Sequence, residues 1–285
     1  MKRELTNMIY QRIHNLSERA ASGTVTFAIL AAWAMSGAHP GFAQQPAQPT
    51  FQSTAEASQT LFQAVQSDNE AAIAKILGGP TELTSSKDAD QDKTDRQLFL
   101  RKYQEMHRLG HDPDGSVTLY IGAENWPFPV PLIATNGGWR FDPDLGAKEV
   151  TFRRIGDNEF TAIANCHEFV AAESRYKSEP NTTYSAEVSP ASLAAKAARG
   201  ENAADPVLLH GYYFRIFSMP ATSGQKTSRV ALIAYPAEYR SSGVMTFVVT
   251  PNDVVYEKDL GANTSAVAAA MTTFHKDATW HVADE

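Results

Sequence analysis

A chain of 285 residues, 43% hydrophobic and 20% charged, is long enough for one large domain or two ordinary ones, and either can bury a core without covalent staples. Its formal net charge of −7, with no local basic cluster, argues against nucleic acid as a partner. A single cysteine, Cys166, excludes an internal disulfide.

Residues 1–43 read as a secretory signal. Lys2, Arg3, Arg12 and Arg19 form a basic n-region, Val25 to Met35 an apolar run of 11 residues, and Gly41-Phe42-Ala43 a small-residue cleavage region. A membrane anchor needs roughly 20 apolar residues, so the run is too short to stay as one. The expected product is periplasmic or secreted, with no membrane span after signal cleavage. It keeps 21 Lys and Arg against 30 Asp and Glu, a net charge of −9.

Residues 44–54 begin with the polar, proline-bearing Gln44 to Pro49 and read as a flexible leader. Thr54 is the expected cap of a helix over Ala55 to Leu77, broken near Ser67-Asp68-Asn69 and stopped by Gly78-Gly79-Pro80. Residues 81–95 are polar and read as a loop. A helix is expected from Asp95 to Leu109, with Leu98, Phe99, Tyr103, Met106 and Leu109 inward. After His111-Asp112-Pro113-Asp114-Gly115 the period becomes two. Val117, Leu119 and Ile121 predict a strand, Pro127 to Ile133 a proline-studded edge strand, and Trp139 to Asp142 its partner across Asn136-Gly137-Gly138.

Pro143 to Arg154 reads as an exposed boundary, and Asp157 as the cap of a helix through Tyr176. Its apolar face, Ile163, Cys166, Phe169 and Val170, is the expected contact with a later sheet. Residues 177–209 read mostly as loop, with a helix at 190–199. A meander follows: Tyr212 to Ser218, Val230 to Tyr235, Val244 to Val249 and Val254 to Glu257. Thr264 caps a last helix, Ser265 to Phe274, and Trp280-His281-Val282 closes the chain. The fold class is α+β in two units, 55–146 and 147–285, each with its own antiparallel sheet.

The motifs His210-Gly211-Tyr212-Tyr213-Phe214, Ala234-Tyr235-Pro236 and Ser242-Gly243-Val244-Met245-Thr246-Phe247 resemble those of the bacterial domain-of-unknown-function 2950 family. That resemblance implies an exported protein and supplies no activity. Family members carry a longer segment with a Gly-Leu-Tyr-Trp motif where this chain has only residues 177–209. The helix pair followed by strands ending in Gly137-Gly138-Trp139-Arg140-Phe141-Asp142 also resembles a nuclear-transport-factor-2-like cone. Asn158-Glu159 through Tyr176, followed by the meander motifs, resembles the globular head of pseudopilins. Lys148, Arg153 and Arg154 before that head could not lie in a membrane as a pilin stem does.

Chemistry-bearing patterns are sparse. No Gly-x-Ser-x-Gly elbow, Ser-x-x-Lys pair or phosphate-cradling glycine loop occurs. His107 and His111 are four apart, yet Gly110 and Pro113 place a helix end between them, so no metal or other cofactor is expected. The candidate ligand pocket is in the first unit, where Tyr103, Tyr120, Trp126 and Trp139 would enclose an apolar volume and Arg140 would anchor an anion. The leading functional reading is a non-enzymatic binding or assembly accessory of the cell envelope, with an envelope or surface protein as partner. The alternative is a small-ligand-binding protein or enzyme using that pocket.

Overall fold

The computed structural model describes residues 48–79, 83, 89–178, 189–198, 205–219 and 229–283. The expected signal segment 1–43, residues 44–47, residues 81, 82 and 84–88 of the expected loop 81–95, and much of 177–209 lie outside them, and residues 89–95 of that loop are helical. The fold is α+β, with helices and two antiparallel sheets. The chain divides into two compact units, 1–150 and 151–285. Among the described residues no helix is long and apolar enough to cross a membrane.

The first unit opens with α1 (Thr54–Gln66) and α2 (Glu70–Leu77), separated at the expected Ser67-Asp68-Asn69 break. Ser53, one residue before the expected Thr54, is the cap, because its hydroxyl accepts from Glu56 N; Asn69 does the same for Ala72 N. α3 (Ala89–Glu105) starts before the expected Asp95 and stops short of Leu109. Residues 107–111 instead form β1 (His107–His111), paired in full register with β2 (Val117–Ile121) across Asp112 to Ser116. A tight turn brought a ready partner to a segment containing Gly110, and five ladder positions outweighed one more helical turn.

The expected strand over Pro127 to Ile133 divides in two: β3 (Trp126–Pro127) and β4 (Leu132–Thr135). β4 is internal, between β2 and β5 (Gly138–Phe141), rather than at the edge. All three prolines lie in or before the break, so Leu132 onward keeps its donors for a central position. Val117, Leu132 and Phe141 are fully buried under Leu61, Val65, Ile73 and Leu77 of the helices.

Two leader residues are built into this unit. Phe51 is buried, and its N–H and C=O bond Trp139 at 2.8 and 2.7 Å, extending the sheet beyond β5. Gly138 makes room for it, since a Cβ there would meet Phe51 O at 2.1 Å. The Gln48 amide donates to Ile76 O, Leu77 O and Phe141 O at 2.9–3.0 Å, so one side chain serves two orphan helix carbonyls and a strand end.

α4 (Pro143–Ser178) runs 36 residues through the division between the units. The stretch expected as exposed linker is thus helical, and Asp157 is interior to the helix instead of capping it. Asp142 supplies the cap, accepting from Asp144 N and Leu145 N at 2.9 and 3.1 Å, and Pro143 suits the first helical position.

In the second unit α5 (Pro190–Ala198) precedes six strands in sequential order: β6 (Val207–Leu209), β7 (Tyr212–Met219), β8 (Arg229–Pro236), β9 (Met245–Val249), β10 (Val255–Asp259) and β11 (His281–Val282). One face packs Phe214, Leu232, Ala234 and Phe247 on Ala162, Cys166, Phe169 and Val170 of α4. The other carries Ile233, Tyr235 and Val248 under α6 (Thr264–Ala270) together with Phe274 and Trp280. α6 has Asn263, which makes no side-chain cap bond, at its N-cap position rather than Thr264, and ends four residues before Phe274, which packs edge-on to Trp280 as coil. Among the described residues the two sheets share no ladder.

Candidate functional site

In the first unit the last turn of α3 places Tyr103 beneath the start of β1. Its ring is sandwiched between Phe62, with centroids 4.6 Å apart at 21°, and His107, at 3.9 Å and 12°. Its hydroxyl shares a buried 3.0 Å hydrogen bond with Ser58 of α1. His107 Nδ1 lies 3.0 Å from Tyr103 O. A carbonyl can only accept, so Nδ1 carries the proton and Nε2 is the ring's remaining polar atom.

These groups border a half-open cleft of about 330 Å³ between α1 and β1. Ala55, Ser58 and Gln59 form one wall; His107, Arg108 and Leu109 form the other. None of the lining residues is a carboxylate, in a chain of net charge −7. Hydroxyl, amide, imidazole and a short apolar surface on fixed secondary structure suit reversible binding of a polar ligand.

Of the residues marked by sequence as pocket-forming, only Tyr103 borders this cleft. Tyr120 lies on the opposite face of β2, beneath the Arg108 guanidinium 3.9 Å from its centroid. Gly110 makes that possible, because a Cβ there would sit 2.8 Å from the ring. Trp126 is 42% exposed on β3, and Trp139 packs into the helix-side core beside Phe51. Arg140 donates to Gln48 Oε1 at 3.2 Å and Phe141 O at 3.3 Å. The five residues therefore divide between the two faces of one sheet. In the sequence His107 stands out only as a metal-ligand candidate at a helix end, because residues 107–109 read as helix, and no pattern marks Ser58.

His107 and His111 share one strand face about 13 Å apart at roughly 3.3 Å per residue, too far for one metal ion. Among the described residues no group of three His, Cys, Asp or Glu could hold a metal.

In the second unit three sequence motifs meet. Glu159 Oε1 of α4 accepts from Val244 N and Met245 N at 2.9 Å each, and from the Tyr212 hydroxyl at 3.5 Å. That hydroxyl also reaches Met245 O at 2.9 Å, and Asn158 donates to Ser242 O at 2.8 Å. Gly243 is required there, because its Cβ would fall 2.1 Å from the Tyr212 oxygen. Burial, reinforced by Glu159, pushes the Tyr212 phenol far above its ordinary range. This cluster is a latch between helix and sheet, with its carboxylate already occupied by N–H groups. Cys166, fully buried below it, has its thiol held protonated by desolvation first and by the charge of Asp253 second.

No curated protein and no solved structure matches this chain. A family model described as a protein of unknown function (DUF2950) matches residues 48–188 and 181–283, its two pieces meeting within the 177–209 stretch. The chain therefore belongs to the DUF2950 family.

Proposed function

We propose that this protein is an exported, non-enzymatic binding module of the cell envelope, and that the cleft between α1 and β1 is its recognition site. The basic n-region and 11-residue apolar run support export. The observation that carries the binding reading is the cleft itself, about 330 Å³ lined by Ser58, Gln59 and His107. Its floor is rigid: Tyr103 is clamped between two rings and tied by its hydroxyl. Such preorganisation lowers the ordering cost of binding. Helices on a five-stranded antiparallel sheet support the likeness to a nuclear-transport-factor-2-like cone. The long helix on a six-stranded meander supports the likeness to a pseudopilin head.

The test uses mature protein starting at Gln44. Two-dimensional NMR with a mixed fragment and peptide collection should shift the resonances of Ser58, Gln59 and His107 together, and His107→Ala should weaken the response at least about tenfold. Shifts centred elsewhere would remove the cleft from the reading. Robust turnover abolished by one side-chain change would overturn the non-enzymatic part.

A further inference from the structure

The cleft runs along an edge of the first sheet, and the two edges of that sheet differ. Beyond β5, Phe51 already pairs with Trp139 through two backbone hydrogen bonds. β1 is the terminal strand at the other end, and among the described residues nothing pairs with its outer side.

The ladder determines which groups face outward. Gly122 N donates to Met106 O at 2.9 Å, and Asp112 N donates to Ser116 O at 3.0 Å, so the pairs at both ends of β1 are hydrogen-bonded ones. Antiparallel pairs alternate between bonded and non-bonded. Within the register His107↔Ile121 to His111↔Val117, Arg108 and Gly110 therefore bond β2. His107, Leu109 and His111 turn their N–H and C=O groups outward. His107, Leu109 and His111 also share one side of the strand, and His107 and Leu109 of these line the cleft. Open backbone groups and the cleft thus coincide.

Resting on the binding reading above, we infer that the occupant is an extended polypeptide segment that joins the sheet as a strand beside β1, between β1 and α1. Main-chain bonds supply affinity in this mode, and alternate side chains supply selectivity. One set of the segment's side chains enters the cleft against Leu109 and Ala55, which takes apolar groups. The other set lies on the Arg108 side. On that side β1 presents Arg108 and Gly110, a cation and no acidic residue, in an acidic chain, so that second set is acidic. A second copy of β1 is the poorer occupant, because antiparallel self-pairing about Leu109 sets His107 opposite His111.

The test is amide hydrogen exchange on the mature protein with a blocked Val-Glu-Val-Glu-Val-Glu-Val-Glu peptide at millimolar concentration. Without peptide, the amides of His107, Leu109 and His111 should exchange fast and those of Arg108 and Gly110 slowly. With peptide, the three fast amides should slow at least about tenfold, and a Val-Lys octapeptide should bind at least about tenfold more weakly. His111→Pro removes one outward N–H and no β1–β2 bond. It should weaken binding by about tenfold with Thr118 and Tyr120 amides still protected. Unchanged exchange at Leu109 and His111 overturns strand addition. If N-acetylglutamate amide still shifts Ser58 and His107 in that case, the cleft survives as a small-ligand site and only the strand is lost. Protection that appears without peptide as protein concentration rises marks a second copy and also overturns it.

Discussion

The carboxylate of Glu159 accepts two backbone N–H groups at 2.9 Å, and Tyr212 and Gly243 are shaped around it. Hydrogen bonds to a charged group are each worth about 1.5–3 kcal/mol, and orphaning buried donors adds to the loss. Glu159→Ala is expected to destabilise the protein by about 3 kcal/mol in urea unfolding, and Glu159→Gln by less, since an amide oxygen still accepts from Val244 and Met245. Equal effects of the two variants would show that the side chain acts through packing alone. Cys166 gives a second residue-scale test. Its thiol is buried and held protonated, so a thiol reagent at pH 8 should leave the native protein unlabelled and label it stoichiometrically once unfolded. Labelling of native protein at the rate of a free thiol would contradict that burial.

Among the elements, α4 departs furthest from its sequence pattern. Residues 143–154, rich in charge and carrying Gly146, read as linker, yet the helix holds them with Asp142 as cap. Amides from 147 to 154 are expected to exchange at least about a hundredfold more slowly than an unstructured peptide; exchange at the peptide rate would restore the linker. Asp142→Ala should cost about 1 kcal/mol, the usual worth of such a cap. β1 is the other such element, since its five residues have no alternating apolar pattern and become a strand only through β2.

For the whole molecule, the segment from Gln48 to Phe51 matters to the first unit. On the export proposed above, cleavage after Ala43 would leave Gln48 and Phe51 attached, and these close the β5 edge and serve the ends of α2 and β5. If the proposed export is right, N-terminal sequencing of the released protein should give Gln44 as its first residue, as the Gly41-Phe42-Ala43 pattern implies. Trimming through Phe51 removes a buried aromatic ring and at least five hydrogen bonds, which should cost about 3 kcal/mol or more and open an edge to self-association. Urea unfolding with light scattering checks both effects; a trimmed protein as stable and monomeric as the mature one would show the segment to be dispensable.

Elements whose pattern matches their environment were legible from residues alone. The α1–α2 break, β2, α5 and the strands of the meander each declare their period, and Cys166, Phe169 and Val170 declare the face that meets the second sheet. Local chemistry determined these, because a half-buried strand or helix needs a regular apolar face whatever it packs on. The remainder needed three dimensions. β1 exists because β2 lies opposite it, α4 extends because Asp142 and Pro143 outbid the charged composition that follows, and Gln48 earns its place only where two distant carbonyl clusters converge. The candidate site was the least legible part. Tyr103, Tyr120, Trp126, Trp139 and Arg140 looked like one aromatic set, but strand alternation divides them between opposite faces of a sheet. Ser58 and His107 carry no pattern of their own; the pairing of β1 with β2 and the docking of α1 on α3 bring them to one cleft, and no local period encodes such a meeting of distant segments.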